Sequence, residues 1–268
     1  MSNLRPVDLS PILAETSLPE RELQKIFRDD EPLTIFEIGA CEGEDTIRYL
    51  RRMPRATVRT FEPLPANQAI IRENFSRYEV TRATLVPVAL ADKIGEAEFH
   101  VSSGRPQDEF AGKDWNYGNK SSSLLAPASN QPMHGWIEFK ETIKVRTDTL
   151  DHYCQTEGVD HIDFIHMDVQ GAEYLVLQGA KAMLPNVTAI WLEVSTKELY
   201  RGQALDQDIR RLMHDAGFRL GYSRYQADGI EGDHLYLNVR HRRTWFYLAT
   251  RPLRSWLGAL RLRLRRSK

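Results

Sequence analysis

The sequence predicts an α/β fold built on a seven-stranded, mostly parallel sheet with helices on both faces, and three observations carry that reading. Five apolar strand-like runs alternate with helix-spaced segments between Ile35 and Gly217, and such alternation builds a parallel sheet. The first run ends in an acid and enters two glycines, Ile35-Phe-Glu-Ile-Gly-Ala-Cys-Glu-Gly43, a turn that lets the backbone approach a ligand at the carboxyl edge of a sheet. Two last runs, 218–222 and 235–239, flank a Gly/Asp connection and close the sheet as an antiparallel hairpin.

Taken in order, residues 1–32 form a helical segment. Ser17-Leu-Pro-Glu20 reads as a capping box, with Leu23, Ile26 and Phe27 at helical spacing behind it. Ile47, Leu50 and Met53 make one face of a helix that Pro54 stops. Residues 57–62 form a second acid-ended strand, 66–77 a helix and 84–90 a third strand. Shorter strands at 96–101 and 142–146 bracket a Gly/Asn/Ser-rich insertion, 102–135, assigned to the substrate side. A helix runs from about Thr147 to Gly158. Residues 162–168 are a buried fourth strand ending in Asp168, and Gly171-Ala-Glu173 opens the next helix, which Glu173 is expected to cap. Residues 188–194 are the fifth strand, with Glu193 near its end, and Leu205, Ile209, Leu212 and Met213 mark a helix stopped by Gly217. The main domain is thus expected over 33–239, and 240–268 is a tail.

The 268 residues suffice for one sizeable core. No apolar run approaches the length of a membrane span and no N-terminal apolar segment is present, so the expected location is cytoplasmic. Two cysteines, Cys41 and Cys154, offer neither a disulfide framework nor zinc-ligand spacing, so no zinc site is expected. Ten of the 36 Lys and Arg, and none of the 37 Asp and Glu, lie from Arg240 onward. The remaining body is acidic, which argues against nucleic-acid binding.

The glycine loop selects its nucleotide by charge. Its spacing is Gly-x-x-x-Gly rather than Gly-x-Gly-x-x-Gly, and Glu42, Glu44 and Asp45 crowd the turn. Those carboxylates would repel a pyrophosphate, whereas S-adenosylmethionine carries a sulfonium and an ammonium and no phosphate. Glu62, at the end of the second strand, is suited to grip two ribose hydroxyls.

Six segments in order then resemble the FkbM family of S-adenosylmethionine-dependent methyltransferases: Ile35 through Gly43, Phe61-Glu-Pro-Leu-Pro-Ala-Asn67, Val88-Ala-Leu-Ala-Asp92, Ser121-Ser-Ser-Leu-Leu125, Ile162 through Glu173, and Gly232-Asp-His-Leu-Tyr236. The resemblance implies a Rossmann-like class I methyltransferase fold and O-methylation of a hydroxyl on a glycan or a small-molecule natural product. It implies that Glu37, Gly39, Ala40 and Gly43 surround the methionine moiety and that Glu62 holds the ribose. Pro63 and Asn67 would lie near the adenosine, and Ala89 at the adenine wall. Cys41 and His166 depart from the asparagine and lysine frequent in the family.

The end of the fourth strand faces the transferred methyl in this fold, so Asp168 is the first candidate for a general base. Glu193 is expected beside it, and His166 shares its strand face by alternation. Ser121, Ser122 and Ser123 offer hydroxyls to a polar acceptor, and Trp115, Tyr117 and Trp136 offer rings for sugar faces. In the tail, Leu253, Trp256, Leu257, Leu260 and Leu264 recur at helical spacing beside Arg254, Arg261 and Arg265. That pattern suits an anionic membrane surface, with the protein peripheral at the inner face, or equally a helix packed on protein. Two other functions fit the same sheet class: a nicotinamide-dependent oxidoreductase, disfavoured by the missing third glycine, and a non-catalytic membrane-tethered adaptor that retains a cofactor fold.

Overall fold

A computed structural model describes residues 6–106, 116–128 and 135–250. The chain opens with α1 (Ser10–Leu13) and α2 (Leu18–Leu23), then runs β1 (Thr34–Ile38), α3 (Glu44–Arg52), β2 (Thr57–Phe61), α4 (Pro65–Arg77), β3 (Ala83–Val86), β4 (Ala89–Leu90), β5 (Gly95–Ser103) and β6 (Glu138–Asp148). It continues through α5 (Leu150–Glu157), β7 (Ile162–Met167), α6 (Glu173–Gln178), β8 (Val187–Ser195), α7 (Asp206–Asp215), β9 (Phe218–Tyr225) and β10 (Glu231–Asn238). Seven strands form one sheet in the order β3-β2-β1-β7-β8-β10-β9, parallel except where β10 pairs with β8 and β9. The predicted class and the closing hairpin are therefore observed.

The chain winds outward from β1 to β3 and returns to β7 on the other side of β1. Strand order reverses between β1 and β7, and a crevice opens there at the carboxyl edge. Alternation decides what faces it. Phe36 and Ile38 of β1, with Ile165 and Met167 of β7, join the cluster under α5, α6 and α7. Ile35 and Phe164 point to the opposite cluster, under α2 and α3, so Glu37 and His166 are sent to that second face, and they are register partners. The α2 capping box forms as expected, with Ser17 accepting from the Glu20 amide and Glu20 accepting from the Ser17 amide. Ile26 and Phe27 lie beyond the end of α2 but remain buried.

Four boundaries differ from expectation. The third strand, read as one run over 84–90, is two. Ala83–Val86 joins the main sheet, whereas Ala89–Leu90 pairs with β6 in a separate three-stranded sheet, β4-β6-β5. Pro87 lacks the N–H that a ladder needs, and the Val88 amide turns back to the Val86 carbonyl at 2.9 Å. The helix expected from Thr147 starts at Leu150, because Thr147 and Asp148 still belong to β6 and Thr149 caps the helix by accepting from the His152 amide. The strands bracketing the insertion run to Ser103 and from Glu138, pairing antiparallel across an irregularity at Val101/Ser102. The hairpin strands are also longer, because charged residues on their open faces mask the alternation.

Residues 242–250 are helical and pack on the body. Thr244 donates to the Asn238 carbonyl at 2.7 Å, and Tyr247, buried in the second cluster, donates to Glu22. Residues 251–268, which hold the predicted amphipathic stripe, lie outside the described residues. No helix of the described residues is long and apolar enough to cross a membrane.

Phe164 is fully buried in a central strand and packs edge-on against Tyr49. Phe164→Ala is expected to destabilise the fold by about 3–5 kcal/mol, read as a lowered urea midpoint with the slope unchanged.

Candidate active site

The glycine loop is built by close approach. Gly39 has φ +86°, and a Cβ there would stand 1.9 Å from the Asp168 carbonyl oxygen, so only glycine lets β1 and β7 converge at their ends. The Gly39 and Ala40 amides both donate to the Phe61 carbonyl at 3.0 Å. Cys41 takes φ +51°, and Gly43, φ +75°, is the residue from which α3 departs.

Two adjoining cavities open over this loop. The first is lined by Glu62, Pro63, Asn67, Val88, Ala89 and Phe99, among others. Glu62 accepts from the Cys41 amide on one carboxylate oxygen and from the Leu64 amide on the other, both at 2.8 Å. Burial raises its carboxyl to about 7, and those two amides oppose the rise.

The second cavity is lined by Glu37, Ala40, Glu44, Asp45 and His166, and it shares Ile38, Gly39, Cys41, Lys120 and Asp168 with the first. Glu37 is buried, accepts from the Thr46 hydroxyl, and is pushed well above the ordinary carboxylate range by burial and by Asp45. Burial, then Glu44, carries Asp45 to about 7. Burial also opposes ionisation of Glu44, but Lys120 at 2.9 Å outweighs it and Glu44 ionises more readily than usual.

The ends of β7 and β8 supply the rest. His166 lines the second cavity, its Nδ1 lies 3.0 Å from the Tyr49 hydroxyl, and burial lowers its pKa. Asp168 is open to solvent on the shared wall, yet the surrounding protein desolvates it enough to raise its carboxyl. Gln170, itself at φ +54°, donates to Asp168 at 2.7 Å and to Glu193 at 3.1 Å. Its Oε1 lies 3.0 Å from the Tyr200 hydroxyl. Glu193 therefore stands behind Gln170 and is not among the residues lining either cavity. Glu173 does not cap α6. It accepts from the Val169 and Gly171 amides and so holds the turn that carries Gln170.

The serines of the insertion serve mostly as stitching. Ser122 lines the first cavity, but its Oγ accepts from the Ser102 amide at 3.0 Å. The Ser121 amide donates to Ser102 Oγ at 3.1 Å, and the Ser121 carbonyl accepts from Tyr200 at 2.8 Å. Ser123 is buried, exchanges backbone hydrogen bonds with His100 and accepts from the Leu125 amide. Tyr117 packs edge-on to Trp136, 6.2 Å between centroids, away from both cavity linings. Trp115 lies outside the described residues. Gln170, Tyr200, Tyr49, Asn119 and Lys120 received no role from sequence. The left-handed Gln170 followed by a glycine is a weak local signal, and the others have none.

The donor set fits S-adenosylmethionine. The Glu62 oxygens, which accept the Cys41 and Leu64 amides and also face Asn67, are acceptors suited to ligand hydroxyls. The acids of the second cavity suit an ammonium and a sulfonium, and the absent Cβ at Gly39 leaves the backbone open to close approach. Glu62, Asn67 and Ala89 would hold the adenosine, and Glu37 with the glycine loop the methionine end.

Because Glu62 binds its proton more tightly folded than unfolded, it favours the folded state below its ordinary value of 4.5, and that contribution is lost as pH rises toward about 7. Relative to Glu62→Gln, the wild type without ligand is expected to lose stability across that window, measured as urea midpoints at pH 5 and pH 8.

The sequence profile described as the methyltransferase FkbM domain matches residues 37–220. The 2-O-methyltransferase NoeI of Sinorhizobium fredii is 34% identical over 220 residues, covering 82% of this chain and 85% of that protein. The antimetabolite synthetase AmbE of Pseudomonas aeruginosa is 26% identical over 84% of this chain, which spans 12% of that much longer protein. Among solved structures, the magnesium protoporphyrin IX methyltransferase of Synechocystis, determined with bound SAM, is 10% identical with a TM-score of 0.46, covering 86% of this chain and 77% of that one. A β1 that carries Glu37 next to its end and runs into a Gly-x-x-x-Gly turn, the reversed strand order beside it and a profile match over most of the sheet together place the chain in the FkbM family of S-adenosylmethionine-dependent methyltransferases.

Proposed function

We propose that this chain is an O-methyltransferase acting on a hydroxyl of a glycan or small-molecule acceptor. The observation that carries the proposal is Asp168. It is a solvent-open carboxylate on the wall shared by both cavities, held by Gln170 and flanked by His166. The similarity to a 2-O-methyltransferase supports an oxygen nucleophile.

When bound, S-adenosylmethionine supplies a methyl already activated by its sulfonium. What remains for the protein is alignment and a destination for the hydroxyl proton. Asp168 takes that proton on a carboxylate oxygen, with its orientation set by the Gln170 amide. His166, desolvated and held against Tyr49, stays neutral and leaves Asp168 as the acceptor of the proton. Glu193 steadies Gln170 from behind rather than touching the acceptor. Ser122 lies on the cavity wall, where its side chain shapes the rim.

Asp168→Asn is expected to lower methyl transfer by about 10²-fold or more while S-adenosylhomocysteine affinity, measured by titration calorimetry, changes only a few fold. Activity at the wild-type level would remove Asp168 from the base role.

The same proposal places the protein in the cytoplasm with its tail on an anionic membrane surface, which would favour lipid-linked acceptors. Trp245 and Phe246, 57% and 71% exposed on the helix that leads into the basic stripe, support it. A chain ending at Thr250 keeps the buried Thr244 and Tyr247. It should lose salt-sensitive binding to phosphatidylserine vesicles, and equal binding by both chains would reject a role for residues 251–268.

A further inference from the structure

The part of the insertion nearest the glycine loop lies over the cofactor cavities. The Asn116 and Asn119 amides donate to one oxygen of Glu42 at 2.8 and 3.0 Å, and Asn119 also donates to Asn67 at 2.9 Å. Asn119 is 3% exposed and lines the first cavity, yet among the described residues its own Oδ1 has no hydrogen-bond partner. A buried acceptor left in that state at a cavity wall is suited to a donor on a ligand. Lys120 follows it and lines both cavities, with its Nζ 2.9 Å from Glu44 and 3.8 Å from Cys41 Sγ.

Charge then discriminates among the parts of the ligand. Among the described residues that line the two cavities, Lys120 is the sole Lys or Arg, against the acids Glu37, Glu44, Asp45, Glu62 and Asp168. Those acids account for an ammonium and a sulfonium. They would repel the carboxylate that the methionine moiety also carries, unless a cation stands between. An ammonium has three donors, so Lys120 can keep Glu44 and hold a second carboxylate.

We propose that Lys120 binds the carboxylate of the cofactor's methionine moiety, making residues 116–120 of the insertion a wall of the cofactor site rather than of the acceptor site. This rests on the S-adenosylmethionine site described above.

Titration calorimetry with S-adenosylhomocysteine and with its decarboxylated analogue, which lacks only that carboxylate, tests it. The wild type should prefer S-adenosylhomocysteine by about tenfold or more. Lys120→Met should weaken S-adenosylhomocysteine by about tenfold or more, leave the analogue within about twofold, and thereby abolish the preference. Lys120→Arg should restore most of it. Equal wild-type affinity for the two ligands would overturn the proposal without any variant. So would a Lys120→Met protein that binds S-adenosylhomocysteine normally or loses both ligands alike. A wild type that binds neither ligand would instead refute the cofactor site itself.

Discussion

The approach of Gly39 to the Asp168 carbonyl is the contact on which the site depends. Where strand order reverses, β1 and β7 are neighbours, and the ladder between them continues one step past β7 through the Asp168 amide to the Ile38 carbonyl at 3.0 Å. Any side chain at Gly39 would collide with that backbone. With the two strand ends held together, Glu37 and His166 sit side by side on one face, and Asp168 emerges at the shared rim of both cavities. The loop, the acid row and the general-base candidate follow from one missing Cβ.

A second constraint is electrostatic. The cavities hold carboxyls in a poorly solvated setting, and burial is the largest influence on Glu37, Asp45, Glu62 and Asp168 alike. Isolated buried carboxylates are unfavourable. Here, backbone amides support Glu62, the Thr46 hydroxyl supports Glu37, and Lys120 supports Glu44. The arrangement is one that a cationic ligand relieves, which is why an acid-bordered loop suits a sulfonium and an ammonium where it would reject a pyrophosphate. Gln170 extends the same logic outward by joining Asp168 to Glu193 through one amide.

The small β4-β6-β5 sheet shows how one residue redirects a strand. Pro87 interrupts a run that otherwise reads as continuous, and the freed half pairs with β6 to bring Ala89 and Phe99 to the wall of the first cavity. The insertion between β5 and β6 then folds back onto the glycine loop, with its serines bonded to Ser102, His100 and Tyr200. A polar, serine-rich loop suggests free hydroxyls when read alone. The structure employs most of them in holding the loop itself.

What the sequence determined by itself was whatever local chemistry encodes. Alternation with period two and 3.6 set the strand and helix order. Glycine at left-handed positions marked the turn, and acids at strand ends singled out Glu37, Glu62 and Asp168 as candidates. Tertiary structure alone decided which distant groups meet these acids: Tyr49 with His166 across 117 positions, Lys120 with Glu44 across 76, and Tyr200 with Gln170 across 30. Side-chain period and turn chemistry are properties of a few consecutive residues. Pairings across such separations arise only when packing of the two sheet faces brings the chain together, and no local pattern records them.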